Sequence, residues 1–132
     1  MCYKFEKIAK NEHIVSEESK DAESERLKTE GNDAVKRSDF PEAIRLYTEA
    51  IHMNPLNMTA FGNRAQVYLK LSRFVDAERD ASTVLTFISN SRSDDMDSLK
   101  VKALFRRGLA RRSMGGLANL QRSLLDFKEI VS

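Results

Sequence analysis

The chain has 132 residues, of which 41% are hydrophobic and 32% charged, and its formal net charge is +2. This length fits one domain, and the composition is too apolar for an intrinsically disordered protein. The apolar runs are too short to cross a membrane, and the first ten residues do not resemble a signal peptide. The single cysteine, Cys2, cannot form an internal disulfide, which favours a reducing setting. Together these features predict a cytoplasmic protein without a membrane partner.

The first twenty residues carry several apolar side chains but match no later part of the chain. We expect residues 1–20 to be an N-terminal extension, and two alternatives stay open for it: a short helix packed on the domain, or a flexible segment. From residue 21 the apolar spacing becomes helical, with Leu27, Gly31 and Ala34 three or four residues apart. A first helix is therefore predicted over 21–37.

A second helix is predicted over 41–53. Asp39 can cap its start, and Pro41 suits the first helical turn. Pro55 supplies no N–H and disfavours a helical residue before it, so the second helix should end just ahead of this proline.

Asn57 opens both the third predicted helix, over 57–71, and an N-glycosylation sequon. A chain without a secretory signal would rarely meet the glycosylation machinery, so we interpret Asn57 as a helix cap. The remaining helices are predicted over 74–88, 96–114 and 119–131, with a longer turn at two glycines between the last two.

A shift of 34 residues superimposes much of residues 24–57 on residues 58–91. The matched residues are small or apolar, for example Phe40 with Phe74, whereas the charged residues between them mostly differ. Stacked structural units produce this pattern because only their packing positions must repeat.

A third unit is predicted over 101–131, because a further shift places Leu104 on Leu27. An insertion at 92–100 precedes it, so the repeat domain as a whole should occupy residues 21–132. Each unit is predicted to be a helix hairpin. Gly31, Ala65 and Gly108 recur at the position where its two helices must approach closely.

Residues 27–55 resemble a tetratricopeptide repeat (TPR) of the co-chaperone kind. The residues that carry the resemblance are Leu27, Gly31, Ala43, Tyr47, Ala50 and Pro55 in the first unit, Phe61, Ala65, Tyr68 and Ala77 in the second, and Leu104 and Gly108 in the third. The resemblance implies an all-α fold, a right-handed superhelical array of three helix-turn-helix hairpins.

Some domains of this family have a two-carboxylate clamp, which binds the C-terminal Glu-Glu-Val-Asp tail of heat-shock protein 90 and 70 chaperones. The chain matches the pattern of that clamp at five positions, which are Lys28, Asn32, Asn63, Lys102 and Arg106. The resemblance implies that these five residues bind the peptide carboxylates. Gln66 and Lys70 follow Asn63 on the same helix face and are expected to contact the rest of the peptide.

The clamp positions are also physically sensible for an anionic ligand. Residues four apart share a helix face, so Lys28 with Asn32, and Lys102 with Arg106, each present two donors on one side. Such donors form charge-assisted hydrogen bonds with carboxylates. The alternative is an ordinary solvated helix face, but an asparagine within a helix, such as Asn63, is a mediocre helix former and favours the ligand-binding interpretation.

The predicted function is a non-catalytic co-chaperone adaptor. The insertion at 92–100 loosely resembles small adaptors of chaperone-dependent complex assembly, and a plain solvated loop is the alternative. A second candidate is a general peptide-binding scaffold without a clamp, using apolar groove residues such as Leu69. Nucleic-acid binding through the basic run 106–112 is disfavoured, because the run lacks interleaved aromatic residues and the chain is nearly neutral.

Catalysis is disfavoured as well, because the sequence has no Gly-rich phosphate loop, nucleophile elbow or cluster of metal ligands. No cofactor or metal is therefore expected. Repeat arrays usually end in a polar capping helix, and none follows the apolar residues around Ile130. We therefore expect either one module of a longer protein, or an exposed end that pairs with a second copy or with residues 1–20. The chain should then be a monomer or a weak dimer.

Overall fold

Six α-helices build the fold in the computed structural model, which describes the backbone of residues 2–91 and 96–132 and the side chains of residues 18–91 and 96–132. In chain order the helices are α1 (Cys2–Lys36), α2 (Phe40–Met53), α3 (Met58–Lys70), α4 (Phe74–Ser89), α5 (Asp97–Met114) and α6 (Leu117–Val131). Consecutive helices pack as the hairpins α1–α2, α3–α4 and α5–α6, and each hairpin contacts the next. The predicted all-α array of three hairpins is confirmed.

The first helix begins much earlier than the predicted start at residue 21. α1 has 35 residues and runs without interruption from Cys2. Its length follows from composition, because neither glycine nor proline occurs before Gly31 and nothing therefore stops the helix. The boundary predicted between residues 20 and 21 stays a prediction, and the side chains of residues 2–17 lie outside the described part.

The predicted insertion at 92–100 is only partly described, since residues 92–95 fall outside the described ranges. Its last four residues belong to α5, which begins at Asp97. The first helix of the third hairpin therefore starts one turn before the predicted repeat boundary at residue 101.

The predicted helix caps are confirmed. The side chain of Asp39 accepts a hydrogen bond from the Glu42 N–H at 3.3 Å, with Pro41 in the first turn of α2. The side chain of Asn57 likewise accepts from the Ala60 N–H at 3.2 Å at the start of α3. Asn57 is also buried, which suits a cap better than a glycan acceptor.

In the first and third hairpins, the close approach of the two helices depends on a glycine, as predicted. A Cβ atom added to Gly31 would lie 2.6 Å from Tyr47 Cε1 of α2. A Cβ atom added to Gly108 would lie 2.6 Å from Phe127 Cε1 of α6. A methyl group at either position would overlap the ring, so these glycines allow an aromatic ring to lie directly on the neighbouring helix backbone.

The third hairpin reaches the same arrangement with a longer turn. Tyr47 follows Gly31 by 16 residues, whereas Phe127 follows Gly108 by 19. The three extra residues are absorbed between α5 and α6, where Gly115 has a φ of 75° and the next residue, also a glycine, a φ of 82°. Such positive φ values favour glycine, which explains why both turn residues lack a side chain.

The core is built largely from alanine and other small side chains. The fully buried positions include Ala34, Ala43, Ala50, Ala60, Ala65, Ala77, Ala81 and Ala110. Small residues let neighbouring helices approach closely, while larger ones such as Leu27, Tyr47 and Val84 fill the remaining space. Among the helices of the described residues, none is both long enough and apolar enough to cross a membrane.

Candidate functional site

A cavity opens on the face formed by α1, α3 and α5, the first helices of the three hairpins. α3 packs against both α1 and α5 and therefore lies between them. The cavity has a volume of about 390 Å³, and we call it the groove. Its lining residues are Asn32, Val35, Lys36, Tyr47, Asn63, Gln66, Val67 and Arg106.

Two of the predicted clamp residues meet at the floor of the groove. The Nδ2 of Asn63 on α3 donates to the Oδ1 of Asn32 on α1 at 3.0 Å. The hydroxyl of Tyr47 donates to the same oxygen at 2.6 Å. The Asn32 carbonyl oxygen thus accepts two hydrogen bonds, and the Asn32 amide N–H groups have no partner among the described residues.

Arg106 enters the groove from α5. Its Nε donates to the Oε1 of Gln66 at 3.2 Å, and its Nη1 lies 2.9 Å from the position that a Cβ atom on Gly62 would occupy. The side chain is partly buried, and this burial lowers the pKa of the Arg106 guanidinium from its usual value. The absence of a side chain at Gly62 therefore makes room for a cation that is held out of bulk water.

The partner of Arg106 distinguishes it from the other partly buried arginines of the described structure. Arg64 pairs with Asp80 at 2.7 Å, Arg107 with Asp126 at 2.7 Å, and Arg111 with both Asp126 and Glu78. Arg106 has only the neutral amide of Gln66. A partly buried cation without a countercharge is costly, and an anionic ligand would relieve that cost.

The two clamp lysines lie one turn away from the groove floor. Lys28 precedes Asn32 by four residues on α1, and its Nζ lies 2.7 Å from Glu25 Oε2. Lys102 precedes Arg106 by four residues on α5, is exposed, and makes no ion pair within the described residues. Neither lines the groove, but residues four apart are neighbours on a helix surface, about 6 Å between Cβ atoms.

The two predicted flanking residues are placed differently from one another. Gln66 lines the groove and accepts a hydrogen bond from Arg106. Lys70 does not line it: the Lys70 Nζ lies 5.9 Å from the centre of the Phe40 ring, at the start of α2. The structure therefore brings Asn32, Asn63, Gln66 and Arg106 together, with Lys28, Lys102 and Lys70 around them.

Sequence reasoning missed four groove residues: Val35, Lys36, Tyr47 and Val67. Lys36 carried a usable signal, because it lies two turns after Lys28 on the same helix stripe. Tyr47 was identified as a packing residue only, since the position of its hydroxyl depends on how α2 lies against α1. The apolar residue that we named for the groove, Leu69, instead packs beside Tyr68, Ala77 and Ala110.

Three arginines of the basic run match no position of the clamp, and the sequence predicts that they carry outer-face or partner-specific charge: Arg107, Arg111 and Arg112. The outer-face placement is wrong for two of them. Arg107 and Arg111 turn inward and bind Asp126, whose residue exposure is only 2%. The physical reason is the acidic groups on α6 and α4, which need a countercharge once the hairpins pack. Arg112 remains exposed. The run therefore offers a nucleic acid much less free charge than its sequence suggests.

Comparison with known proteins gives one consistent result. A family model described as tetratricopeptide repeat matches residues 28–86. Sperm-associated antigen 1 of Homo sapiens is 33% identical over 105 residues, which make up 80% of this chain and 10% of that protein. The chain spans only 10% to 19% of the length of three such curated relatives.

Solved structures resemble the chain over most of its length. The Arabidopsis OM64 TPR domain is 33% identical with a TM-score of 0.71, and the match covers 85% of this chain and 83% of that domain. The first TPR of Spaghetti (RPAP3), solved bound to the HSP90 peptide SRMEEVD, is 29% identical with a TM-score of 0.71. That match covers 84% of this chain and 79% of the other.

Proposed function

Because the chain belongs to the tetratricopeptide repeat family, we propose that its groove binds the acidic C-terminal tail of a heat-shock protein 90 or 70 chaperone. In this proposal the chain is a non-catalytic adaptor module that works in the cytoplasm. The observation that carries the proposal is Arg106, a partly buried cation whose hydrogen-bond partner is a neutral amide. The HSP90 peptide bound to a similar domain indicates which ligand to test first.

The groove offers two kinds of donor for a ligand with two carboxylates. Arg106 and Lys102 supply positive charge from α5, and Lys28 supplies it from α1. Asn32 and Asn63 supply amide N–H donors between them. A C-terminal aspartate carries its main-chain and side-chain carboxylates a few ångströms apart, so both could accept charge-assisted hydrogen bonds at once.

The upstream residues of the tail would lie along the remaining lining of the groove. Val35 is partly exposed and offers apolar surface beside the polar floor, and Gln66 offers a side-chain amide. Lys36 and Lys70 stand on α1 and α3, respectively, where they would favour acidic residues ahead of the terminal aspartate.

Other proteins of chaperone-assembled complexes are a further class of partner that we propose from the resemblance.

The test is a pair of calorimetric titrations. A peptide ending in Met-Glu-Glu-Val-Asp should bind with a micromolar dissociation constant, which corresponds to a binding free energy of about 6 to 9 kcal/mol in favour of the complex. The same peptide with an amidated C-terminus should bind at least tenfold more weakly, because it loses one carboxylate. Equal affinity for the two peptides would exclude a carboxylate clamp and leave a general peptide-binding scaffold that uses apolar groove surface such as Val35.

We further propose that the chain is a monomer or a weak dimer that forms through α6 at its C-terminal end, with neither a nucleic-acid nor a membrane partner. Several large apolar side chains of α6 face solvent, among them Leu124 and Leu125. They surround a second cavity, of about 820 Å³, which lies outside the groove. Self-association through this helix would therefore leave the peptide site open.

A further inference from the structure

The hydroxyl of Tyr47 is not needed for the packing that holds its ring. Tyr47 packs on Gly31 in the first hairpin, and Phe127 packs on Gly108 in the same way in the third. The two contacts have the same closest distance, 2.6 Å from the added Cβ to Cε1. Because a phenyl ring suffices in the third hairpin, the Tyr47 hydroxyl must be explained by something other than ring packing.

The hydroxyl contacts the candidate ligand site instead. It donates to the Asn32 Oδ1 at 2.6 Å, and the Asn63 Nδ2 donates to the same oxygen at 3.0 Å. A side-chain amide can rotate by about 180° and exchange its oxygen and nitrogen at little steric cost. The Asn63 Nδ2 can only donate and therefore selects one of these orientations, in which the Tyr47 hydroxyl donates as the second partner and both N–H groups of Asn32 remain available to a ligand.

The opposite orientation of Asn32 would be harmful to anion binding. Rotation would direct the Asn32 Nδ2 at the Tyr47 hydroxyl and the Asn63 amide, and would present an oxygen to the ligand carboxylate. The Tyr47 side chain is 1% exposed, and this burial raises the pKa of Tyr47 to about 12. The phenol therefore keeps its proton and remains a donor throughout the physiological range.

We infer that Tyr47 is a positioning residue for the peptide carboxylate: its hydroxyl holds the Asn32 amide with both N–H groups free to donate. The inference rests on the proposed function, because it assigns a role within the same groove. Tyr47 lies beneath Asn32 and acts through it, so the effect of removing the hydroxyl must depend on the presence of Asn32.

The experiment is a double-mutant cycle with the acid and amidated Met-Glu-Glu-Val-Asp peptides. Tyr47→Phe should weaken binding of the acid peptide about tenfold and narrow the difference between the two peptides. In an Asn32→Ala background, the same Tyr47→Phe change should have little further effect on affinity. Tyr68→Phe is the matched control, because it removes a hydroxyl from a buried tyrosine outside the groove lining and should leave both affinities unchanged.

The outcomes separate the inference from the function on which it rests. If the parent chain prefers the acid peptide and Tyr47→Phe keeps the full preference, the positioning role is overturned while the clamp stands. An equal loss from Tyr47→Phe with and without Asn32 would likewise overturn it, because the hydroxyl would then act by another route. If the parent chain does not distinguish the two peptides, the clamp and the positioning role fall together.

Discussion

Arg106 and Arg107 are adjacent on α5, yet their surroundings give them opposite consequences for stability. Arg107 binds Asp126 through two of its nitrogens, so both charges are compensated inside the protein. Arg106 is also partly buried but has no carboxylate partner among the described residues. Folding therefore bears a desolvation cost at Arg106 that it recovers only when an anion binds.

This difference predicts that Arg106→Ala separates binding from stability. The acid peptide should lose at least about tenfold in affinity, about 1.4 kcal/mol, because a charge-assisted hydrogen bond disappears. The melting temperature should stay level or rise, because the variant no longer holds an uncompensated cation away from water. Titration calorimetry and thermal unfolding measure the two quantities. Arg112→Ala, an exposed arginine of the same helix, is the matched control and should change neither.

The neighbouring substitution Arg107→Ala should behave in the reverse way. It leaves the buried Asp126 carboxylate with Arg111 alone, so we expect a loss of about 1 to 3 kcal/mol in the free energy of unfolding. Peptide affinity should change little, since Arg107 does not line the groove. Urea unfolding measures the loss. A variant as stable as the parent chain would show that Arg111 alone suffices for Asp126.

Tyr47 gives the chain a predictable response to alkaline pH. An unfolded tyrosine titrates near pH 10, whereas burial raises the pKa of Tyr47 to about 12 against the opposing charge of Arg106. Between those values the unfolded state has lost a proton that the folded state keeps. The contribution of Tyr47 to the free energy of unfolding is therefore fully present below pH 10. Above pH 10 it falls by about 1 kcal/mol per pH unit. Tyr47→Phe should remove this part of the decrease in the free energy of unfolding with pH, as measured by urea unfolding from pH 9 to 11.5. An unchanged pH dependence would show that Tyr47 does not cause it.

At the level of the helices, the glycines of α1 and α3 each precede a clamp asparagine but contact different side chains. Gly31 lies against the ring of Tyr47, which is fully buried and cannot move away. Gly62 lies against the Nη1 of Arg106, the far end of a flexible side chain. An added methyl group should therefore disturb the hairpin in the first case and only the ligand site in the second.

We accordingly predict contrasting results for two glycine-to-alanine substitutions. Gly31→Ala should destabilise the chain by about 1 to 3 kcal/mol, because the overlap with the Tyr47 ring outweighs the better helix propensity of alanine. Gly62→Ala should leave stability unchanged or raise it by up to about 1 kcal/mol, while displacing the Arg106 guanidinium and weakening the acid peptide. Thermal unfolding and titration of both variants decide the matter. Equal stability losses would mean that Arg106 cannot move aside.

The helices and their caps could be predicted because their signals are local. Asp39 and Asn57 satisfy backbone N–H groups within the next three residues, so their roles follow from the neighbouring sequence alone. The long N-terminal part of α1 could not be predicted, because it has no repeat match and its only signal is the lack of a breaker. The start of α5 at Asp97 lies one residue from the start predicted at residue 96, because the helical spacing of the apolar residues is again a local signal.

The candidate site was predictable where it depends on helix spacing and not where it depends on tertiary packing. Asn32, Asn63 and Arg106 lie in the groove as expected, because the helical face and the repeat period determine their direction. The acidic partners of Arg107 and Arg111 come from helices that are distant in sequence. The contribution of Tyr47 likewise requires the register between α1 and α2, which no local pattern encodes.

For the molecule as a whole, the proposed ligand would touch all three hairpins. Asn32, Asn63 and Arg106 belong to α1, α3 and α5, and each hairpin otherwise packs mainly on its neighbour. A peptide held by all three would therefore oppose separation of the hairpins as well as local fraying. A peptide that binds only the folded array raises the free energy of unfolding of the array by about 2.7 kcal/mol, when the free peptide is present at one hundred times its dissociation constant.

The surface of α6 determines the last property that we predict, the mass of the chain in solution. Leu124 is 67% exposed, and Leu125 and other apolar residues of α6 are similarly exposed, which is more apolar surface than one helix of a monomer usually presents. In α2 and α4 the corresponding side of the hairpin is covered by the next hairpin. A second copy could cover α6 in the same way, but like charges from Arg122 and Lys128 on both copies would oppose the contact.

We therefore expect self-association that is weak and visible only at high concentration, as a rise in average mass in sedimentation equilibrium. The double variant Leu124→Glu, Leu125→Glu should remain monomeric over the same range and keep its affinity for the acid peptide, because neither residue lines the groove. Val75→Glu is the matched control, since Val75 is 65% exposed on α4 and should not alter self-association. A parent chain that stays monomeric throughout, or a control that abolishes association equally well, would show that the α6 surface does not bind a second copy.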